Sequence, residues 1–441
     1  MRPPESFRAR LLLIAAGALL LRLVYAGLNR GYPVVGDALT FHFDAAHLAA
    51  GQGFMRPFEA MATAEHPPLQ IVLLGLVDWL GGHGTLPQRF VECFIGTGTV
   101  ILLGLLGRAV AGPRAGLIAA GLGAVYPMLW MIDGSLMSET PYLFLVTATL
   151  VLAYRHRAKP STGLALAIGA LIALAALTRG EAIGLLVLLV LPLAWHAGTS
   201  WRPRLRTAAL MGAAFCVVLA PWTIRNLATF ERPVLISTNS DTAIAGANCP
   251  GTYYGELLGS WDYNCLRNRP PGDESEFSAA YRDRGVRYIK AHLDRVPVVV
   301  GVRLLRQLDL YRPTQSALLQ ASEGRRFKVA LWGIRWYWGM LALAIAGAVL
   351  LRRRRAPMQI LAAPVALAFL VAVFVYGSTR LRVVMEPVIV VCAAVAVEAA
   401  WRRLVTRRAS SAEASSAAAS PTATRVSAGI SQSQSIEAWK A

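Results

Sequence analysis

The sequence Gly36-Asp37-Ala38-Leu39-Thr40-Phe41-His42-Phe43-Asp44-Ala45-Ala46-His47 follows the first long apolar run and places acidic residues among apolar ones. Read as a helix, it puts Asp37, Thr40, Asp44 and His47 on one face, because these positions recur at helical spacing. The pattern predicts a helix that lies at a membrane surface and presents its polar face to water. For Asp44 and His47, an ordinary solvated face fits the pattern equally well.

The composition excludes an ordinary soluble enzyme. The chain has 441 residues, of which 55% are hydrophobic and only 16% are charged, against about 25% charged in typical soluble domains. Its apolar runs of about 16–20 residues are long enough to cross a bilayer as helices. The net charge of +19 comes from short basic clusters between these runs, as in the cytoplasmic loops of membrane proteins. The sequence therefore predicts an all-α polytopic protein whose partners are membrane lipids and not nucleic acid.

The distribution of charge predicts about ten transmembrane helices in the plasma (inner) membrane, with both termini cytoplasmic. Arg8 and Arg10 precede the first run, which places the helix that carries Asp37 outside the cell. Residues 66–84 contain Asp78 and an apolar run of only about 13 residues, so they are predicted to be re-entrant or interfacial. The predicted spans are 11–28, 90–106, 116–132, 141–153, 162–177, 182–195, 208–222, 331–351, 358–376 and 383–400.

These spans divide the chain into four predicted parts. Residues 1–222 form a seven-helix module that includes the outer loop 30–88, and residues 223–330 form an extracytoplasmic loop with an interfacial helix. Residues 331–403 form a three-helix membrane segment. Residues 404–441 are rich in Ser and Ala and bury too little apolar surface to offset the entropy of ordering, so a disordered cytoplasmic tail is predicted.

Cys249 and Cys265 are the only two of the five cysteines outside the predicted spans. Their outward-facing position permits a disulfide, and closing a loop of about 15 residues contributes roughly 3 kcal/mol in the chain-entropy model. Metal binding by this pair is the weaker alternative, because no His or further Cys lies beside it. The sequence signals no divalent metal cofactor elsewhere and no nucleotide-binding glycine loop.

Several short motifs follow one another in a definite order along the chain. They are Gly36-Asp37, His66-Pro67-Pro68-Leu69, Ser138-Glu139-Thr140-Pro141, Leu177-Thr178-Arg179-Gly180-Glu181 and Pro221-Trp222-Thr223-Ile224-Arg225-Asn226. As an ordered set, over roughly residues 10–400, they resemble the polytopic glycosyltransferases of the GT-C superfamily. The nearest group is family 39, which contains protein mannosyltransferases and lipid A aminoarabinose transferases. The seven predicted spans before the long loop match the seven-helix module of that superfamily.

The resemblance implies a glycosyltransferase, usually inverting, that takes a hexosyl or pentosyl group from a polyprenyl-phosphate donor on the extracytoplasmic side. The acceptor is a glycan, a lipid or a protein. Asp37 matches the first-loop Asp that acts as general base, and Asp44, Asp133 and Glu139 are candidates for a second acid. The cationic candidates for binding the donor phosphate are His66, Arg179, Arg225, Arg380 and Arg382.

Each of these assignments has a plain structural alternative. An arginine at the outer end of a span can serve as an interfacial anchor that reaches lipid headgroups. Glu139 can be a helix-start acid favoured by the helix dipole. A transporter or flippase is the alternative function, although such proteins place ionisable groups near the bilayer midplane and often contain internal repeats. A non-catalytic binder of a lipid-linked sugar is a further alternative.

Overall fold

The computed structural model describes residues 5–419, and within this range it is built from helices, with one isolated β-bridge between Met55 and Ala62. The predicted all-α class is confirmed. The helices are α1 Glu5–Leu28, α2 Asp37–Ala49, α3 Pro68–Trp79, α4 Thr85–Ala111, α5 Pro113–Val125, α6 Pro127–Trp130, α7 Glu139–Ala158, α8 Thr162–Ala176, α9 Ile183–His196, α10 Trp201–Thr229, α11 Asn239–Ala247, α12 Pro250–Tyr253, α13 Glu274–Ala291, α14 Val296–Gln307, α15 Pro313–Ala321, α16 Phe327–Arg353, α17 Gln359–Phe374 and α18 Glu386–Ala419. Short 3-10 turns occupy Gly180–Ala182, Tyr263–Leu266 and Leu381–Met385.

Five helices are long and apolar enough to cross a membrane. They contain Phe7–Leu28, Thr85–Ala111, Trp201–Thr229, Phe327–Arg353 and Leu381–Arg407. Each of the ten predicted spans overlaps an α-helix, but 116–132 is divided between α5 and α6 and several other helices are short, so the count of ten stays a prediction. Residues 66–84, which are predicted not to cross the membrane, contain α3. Its 12 residues fall well short of the roughly 20 that a span needs.

Proline determines where one of the shorter helices ends. Pro127 cannot donate a backbone hydrogen bond and restricts the residue before it, so α5 ends at Val125 and Tyr126 is extended. The one-turn helix α6 follows and leads into the segment before α7. A buried ion pair fixes this segment to α1, because Arg22 Nε lies 2.6 Å from Asp133 Oδ2.

Helices α11 to α15 form the region between α10 and α16 that was predicted to be an outer loop. The predicted disulfide is confirmed, since Cys249 and Cys265 are bonded with their Cα atoms 6.3 Å apart. Asp262 lies beside the two sulfur atoms, but thiols joined in a disulfide are not free to act as metal ligands. In α14, the predicted interfacial helix, Arg303 and Arg306 are buried and donate to the backbone carbonyls of Ala247 and Leu258.

Among the described residues, 5–398 belong to one compact unit and 399–419 to a second. Helix α18 continues to Ala419, so the first part of the predicted disordered tail, 404–419, is helical. Ala and Arg are good helix formers, and extending an existing helix avoids the cost of nucleation. The rest of the tail lies outside the described residues.

Candidate active site

Asp37 is the first residue of α2 and follows a glycine whose backbone conformation explains the Gly-Asp pair. Gly36 has a φ of +61°, in the left-handed region that glycine adopts without steric cost. A Cβ at this position would also lie 3.1 Å from Glu323 Oε2 and 3.1 Å from the Ser322 carbonyl oxygen. The missing side chain therefore lets the start of α2 approach the segment that precedes α16.

A single guanidinium connects three carboxylates that are distant in sequence. Arg380 Nη1 lies 2.9 Å from Asp37 Oδ2 and 2.9 Å from Glu323 Oε1, while Arg380 Nε donates to Glu139 Oε1 at 2.7 Å. We call these four residues the Arg380 cluster. His66 Nε2 lies 4.0 Å from Asp37 Oδ1, the other carboxylate oxygen of that residue. The cluster thus combines a first-loop acid with a cation from the segment after α17.

Two carboxylates of the cluster have opposite electrostatic environments. Burial raises the pKa of Asp37, but the nearby charge of Arg380, followed by that of His66, outweighs it, so the pKa lies below its ordinary value. Burial raises the pKa of Glu323 to about 7, with Arg380 opposing the shift and Asp37 adding to it. At neutral pH Asp37 is therefore ionised, while Glu323 is close to its titration point.

Glu139 is the fully buried member of the cluster. Besides Arg380, its Oε1 atom lies 3.3 Å from Arg325 Nη2 and 3.5 Å from Arg179 Nη1. The Nε atom of Arg179 in turn lies 2.6 Å from Glu181 Oε1. Since Glu139 has no exposed surface, it is suited to holding the arginines in place and not to meeting a substrate.

A cavity of about 810 Å³ opens beside the cluster, within the roughly 300–1,000 Å³ range of ligand sites. Asp37, His66, Arg179, Glu323 and Arg380 line it. Further lining comes from the region around α11 and from the end of α17. This lining includes Arg232, Asp241, Trp261, Arg282, Val375 and Tyr376.

A smaller cavity of about 300 Å³ adjoins the same cluster. Glu323 and Arg380 line both cavities, as do Trp261 and Tyr376. Asp37, His66 and Arg179 line only the larger one. The two cavities therefore meet at the Arg380–Glu323 pair.

The structure brings together five of the predicted site residues, namely Asp37, His66, Glu139, Arg179 and Arg380. It places Arg225 elsewhere. The Arg225 guanidinium donates to the carbonyls of Thr63 and Phe54 and lies against the rings of Phe54, Trp222 and Phe230. These contacts suit a residue that fixes the loop before α3, not one that faces an incoming phosphate.

Three more predicted site residues are buried away from both cavities. Asp133 pairs with Arg22, and Arg382 pairs with Asp309 and Glu386. Asp44 shares the predicted helix face with Asp37, but this part of α2 is covered, and both Asp44 carboxylate oxygens are buried without a hydrogen-bond partner. The prediction that α2 exposes its polar face to water is therefore wrong at Asp44, because other parts of the chain pack over this residue.

Sequence reasoning missed Glu323, Arg325 and Tyr376. The available signal was the run Glu323-Gly324-Arg325-Arg326, which stands just before the predicted span 331–351 at its outer end. Tyr376 ends the predicted span 358–376, on the same side. A charged or polar residue at the outer end of a predicted span is the feature by which Arg179 was identified as a candidate, and it applies equally to these three residues.

Comparisons with known proteins show which folds and families this chain is similar to. Residues 65–224 match the family described as dolichyl-phosphate-mannose-protein mannosyltransferase. No curated protein matches the sequence. Among solved structures, the chain is similar to the oligosaccharyltransferase AglB of Archaeoglobus fulgidus in complex with an inhibitory peptide and a dolichol-phosphate. The TM-score is 0.56 at 16% identity, covering 91% of this chain and 51% of that one.

The apo form of the Archaeoglobus fulgidus oligosaccharyltransferase gives a TM-score of 0.57 at 15% identity, covering 92% of this chain and 52% of that one. The chain thus spans about half the length of these proteins. ArnT of Cupriavidus metallidurans bound to undecaprenyl phosphate, at 16% identity over 90% of this chain and 78% of that one, has a TM-score of 0.42, too low to support an argument. The fold and the family segment confirm the predicted resemblance. The chain is a multi-pass membrane protein whose fold is similar to that of an archaeal oligosaccharyltransferase, and its residues 65–224 resemble the protein mannosyltransferase family.

Proposed function

We propose that this protein is a glycosyltransferase that moves a sugar from a polyprenyl-phosphate donor to an acceptor hydroxyl on the extracytoplasmic side of the membrane. The observation that carries this proposal is the 2.9 Å contact between Asp37 and Arg380 at the wall of the larger cavity. A carboxylate that can accept a proton and a cation that can stabilise a phosphate stand side by side there. The similarity to an archaeal oligosaccharyltransferase solved with dolichol-phosphate supports a lipid-linked donor.

The reaction requires one bond to form and one to break. The acceptor oxygen bonds to the anomeric carbon, and the bond from that carbon to the phosphate oxygen breaks with its electron pair remaining on the phosphate. In our proposal the hydroxyl proton passes to Asp37, whose lowered pKa keeps its carboxylate ionised at neutral pH. Attack from the face opposite the leaving phosphate inverts the anomeric centre.

Stabilisation of the leaving phosphate falls to the cations around the larger cavity. Charge-assisted hydrogen bonds from guanidinium groups to phosphate are strong and are often bidentate, and donors fixed in place before the reaction stabilise developing charge most effectively. Arg380 and Arg179 are held by Glu139, so their positions are set in advance. Arg232 lines the same cavity and adds positive charge near its α11 side, whereas Arg282 is paired there with Asp241.

The location of the site agrees with the predicted topology. Asp37 follows the span 11–28, Glu139 precedes 141–153, Arg179 follows 162–177 and Arg380 follows 358–376. The charge alternation predicts that all four span ends are extracytoplasmic, and all four residues meet in one cluster. This agreement supports an active site on the outer face.

The test uses purified full-length protein and undecaprenyl-phosphate-linked mannose, glucose and arabinose, with release of undecaprenyl phosphate as the readout. Asp37→Asn keeps the size of the side chain but removes the base, so we expect turnover to fall by at least about 10²-fold while the donor still binds. Asp44→Asn is the matched control, because Asp44 lies on the same helix outside both cavities, and it should retain most activity. Near-normal turnover by the Asp37 variant at equal abundance would remove Asp37 as the base. Donor binding without release by the wild type would identify a non-catalytic binder, and movement of intact donor across vesicles would identify a flippase.

A further inference from the structure

The smaller cavity is enclosed by a part of the chain that is fixed in position before any ligand arrives. Trp261 and Tyr263 lie on its wall, inside the loop that the Cys249–Cys265 disulfide closes. The Trp261 indole packs directly on Gly246, where any added Cβ would overlap it. The backbone nitrogen of Asp262 also donates to the Gly246 carbonyl at 2.9 Å. The aromatic residues are therefore held against α11 and need little ordering on binding.

The lining combines aromatic rings with hydroxyl and amide groups and with the charged side chains of Asp262, Arg306, Glu323 and Arg380. The rings of Trp261 and Tyr263 are 6.0 Å apart and tilted by 55°, and Tyr263 is 73% exposed. Hydroxyl and amide groups surround these rings. They belong to Ser260, Ser316, Ser322, Ser378, Thr379 and Gln320. Aromatic side chains that offer an apolar face together with a polar edge, set among hydroxyl and amide groups, match the chemistry of a sugar ring, which has apolar C–H faces and a rim of hydroxyls.

A lipid acceptor fits this lining less well. Such an acceptor would favour an aliphatic wall, whereas Leu257 and Leu319 are the only aliphatic side chains among the described residues that line the cavity. The volume of about 300 Å³ stands at the small end of the ligand-site range.

Resting on the proposed function, we infer that the smaller cavity is the acceptor subsite and that it takes a carbohydrate. A sugar seated against Trp261 and Tyr263 presents its hydroxyl toward Glu323 and Arg380, which line both cavities. Arg380 Nη1 is 2.9 Å from both Glu323 and Asp37, so the hydroxyl approaches the base along this pair. Glu323 is a positioning residue here, since it accepts a hydrogen bond from the acceptor, and the proton itself goes to Asp37.

Binding to the purified full-length protein tests the subsite independently of turnover. The probes are the methyl glycosides of mannose, glucose, galactose and arabinofuranose, with a Ser/Thr-rich peptide as the competing class, followed by saturation-transfer difference NMR. We expect at least one glycoside to bind, and to bind equally well when undecaprenyl phosphate occupies the larger cavity. Leu319→Trp, which fills the smaller cavity, should abolish the signal. Tyr263→Ala should weaken binding by about tenfold, as expected for losing one aromatic contact.

Tyr254→Ala is the matched control, because Tyr254 is an exposed tyrosine of the same loop that lines neither cavity, and it should bind like the wild type. The inference is overturned if Leu319→Trp and Tyr263→Ala both bind the glycoside normally, if undecaprenyl phosphate displaces the glycoside, or if only the peptide binds. Failure of the proposed function gives a different result, in which the glycoside binds in the smaller cavity but no donor releases undecaprenyl phosphate.

Discussion

Arg380 and Arg382 stand two residues apart, and each binds several acids, yet their surroundings assign them to different tasks. Arg382 has no exposed surface, and its guanidinium lies 2.6 Å from Asp309, 2.9 Å from Glu386 and 3.4 Å from the centre of the Tyr337 ring. Arg380 has three acidic partners, one more than Arg382, but it lines both cavities. Pairing alone therefore does not mark a functional arginine, whereas pairing at a cavity wall does.

The difference also concerns what each arginine connects. Arg382 links α18 to the segment after α14 through Glu386 and Asp309, and it donates to the Gln307 carbonyl. All of these partners belong to the interior of the fold. Arg380 connects α2, the start of α7 and the segment before α16. A substrate phosphate or hydroxyl can reach Asp37 and Glu323 in the second set, but it can reach no partner of Arg382.

Loss of Arg382 should have the largest effect, and it should be an effect on folding. Arg382→Gln leaves Asp309 and Glu386 buried without their counter-charge, and breaking a buried pair in this way costs about 3–5 kcal/mol. We expect a strongly reduced amount of protein in the membrane and a lower melting temperature in detergent. The double variant Arg382→Met with Asp309→Leu removes the arginine and one of its two acidic partners, and it should recover part of the loss. Wild-type stability of Arg382→Gln would contradict the assignment.

Loss of Arg380 should act on turnover instead. Glu139 keeps Arg179 and Arg325 as partners, so Arg380→Gln should fold at near-normal abundance. Without this donor to the developing phosphate charge, turnover should fall by about 10²–10³-fold, measured as undecaprenyl phosphate release per mole of folded protein. Arg380→Lys should restore only part of the rate, because a single ammonium cannot replace a planar guanidinium shared by three carboxylates. Equal losses of stability in the Arg380 and Arg382 variants would remove the distinction between them.

Much of the cluster could be predicted from the sequence, because its members stand at the ends of predicted spans. Asp37, Arg179 and Arg380 lie next to different spans, and the alternation of basic loops places these ends on one side. That reasoning fixes the side of the membrane and not the contacts. It therefore also selected Arg225 and Arg382, whose positions at span ends look the same in sequence.

What the sequence could not provide was the packing of the long region between α10 and α16. Glu323 enters the cluster because Gly36 leaves room for it, and nothing in the local pattern of either segment indicates that contact. The same region covers part of α2, since Glu274 accepts hydrogen bonds from Thr63, Ala64 and Thr238 and fixes the loop beside the helix. Helical spacing alone could not show that Asp37 stays accessible while Asp44 is covered.

The smallest expected effect concerns that pair of acids on α2. Burial raises the pKa of Asp44 from 3.8 to about 8, and the nearby Glu65 and Glu274 add to the shift. Between these two values the folded protein binds more protons at this site than the unfolded chain does, so the site makes stability fall as pH rises through the window. Asp44→Asn removes the titration, and its melting temperature should therefore decline less than that of the wild type between pH 5.5 and 8, by a few degrees.

Asp37→Asn is the control. Because the pKa of Asp37 is lowered in the folded protein, its carboxylate stabilises the fold at every pH above the pKa of the unfolded chain, and this contribution is lost only as the pH falls below about 4. This control should keep the wild-type slope across the window. A wild-type slope in Asp44→Asn as well would mean that Asp44 titrates near its ordinary value, and burial would then not separate the two acids.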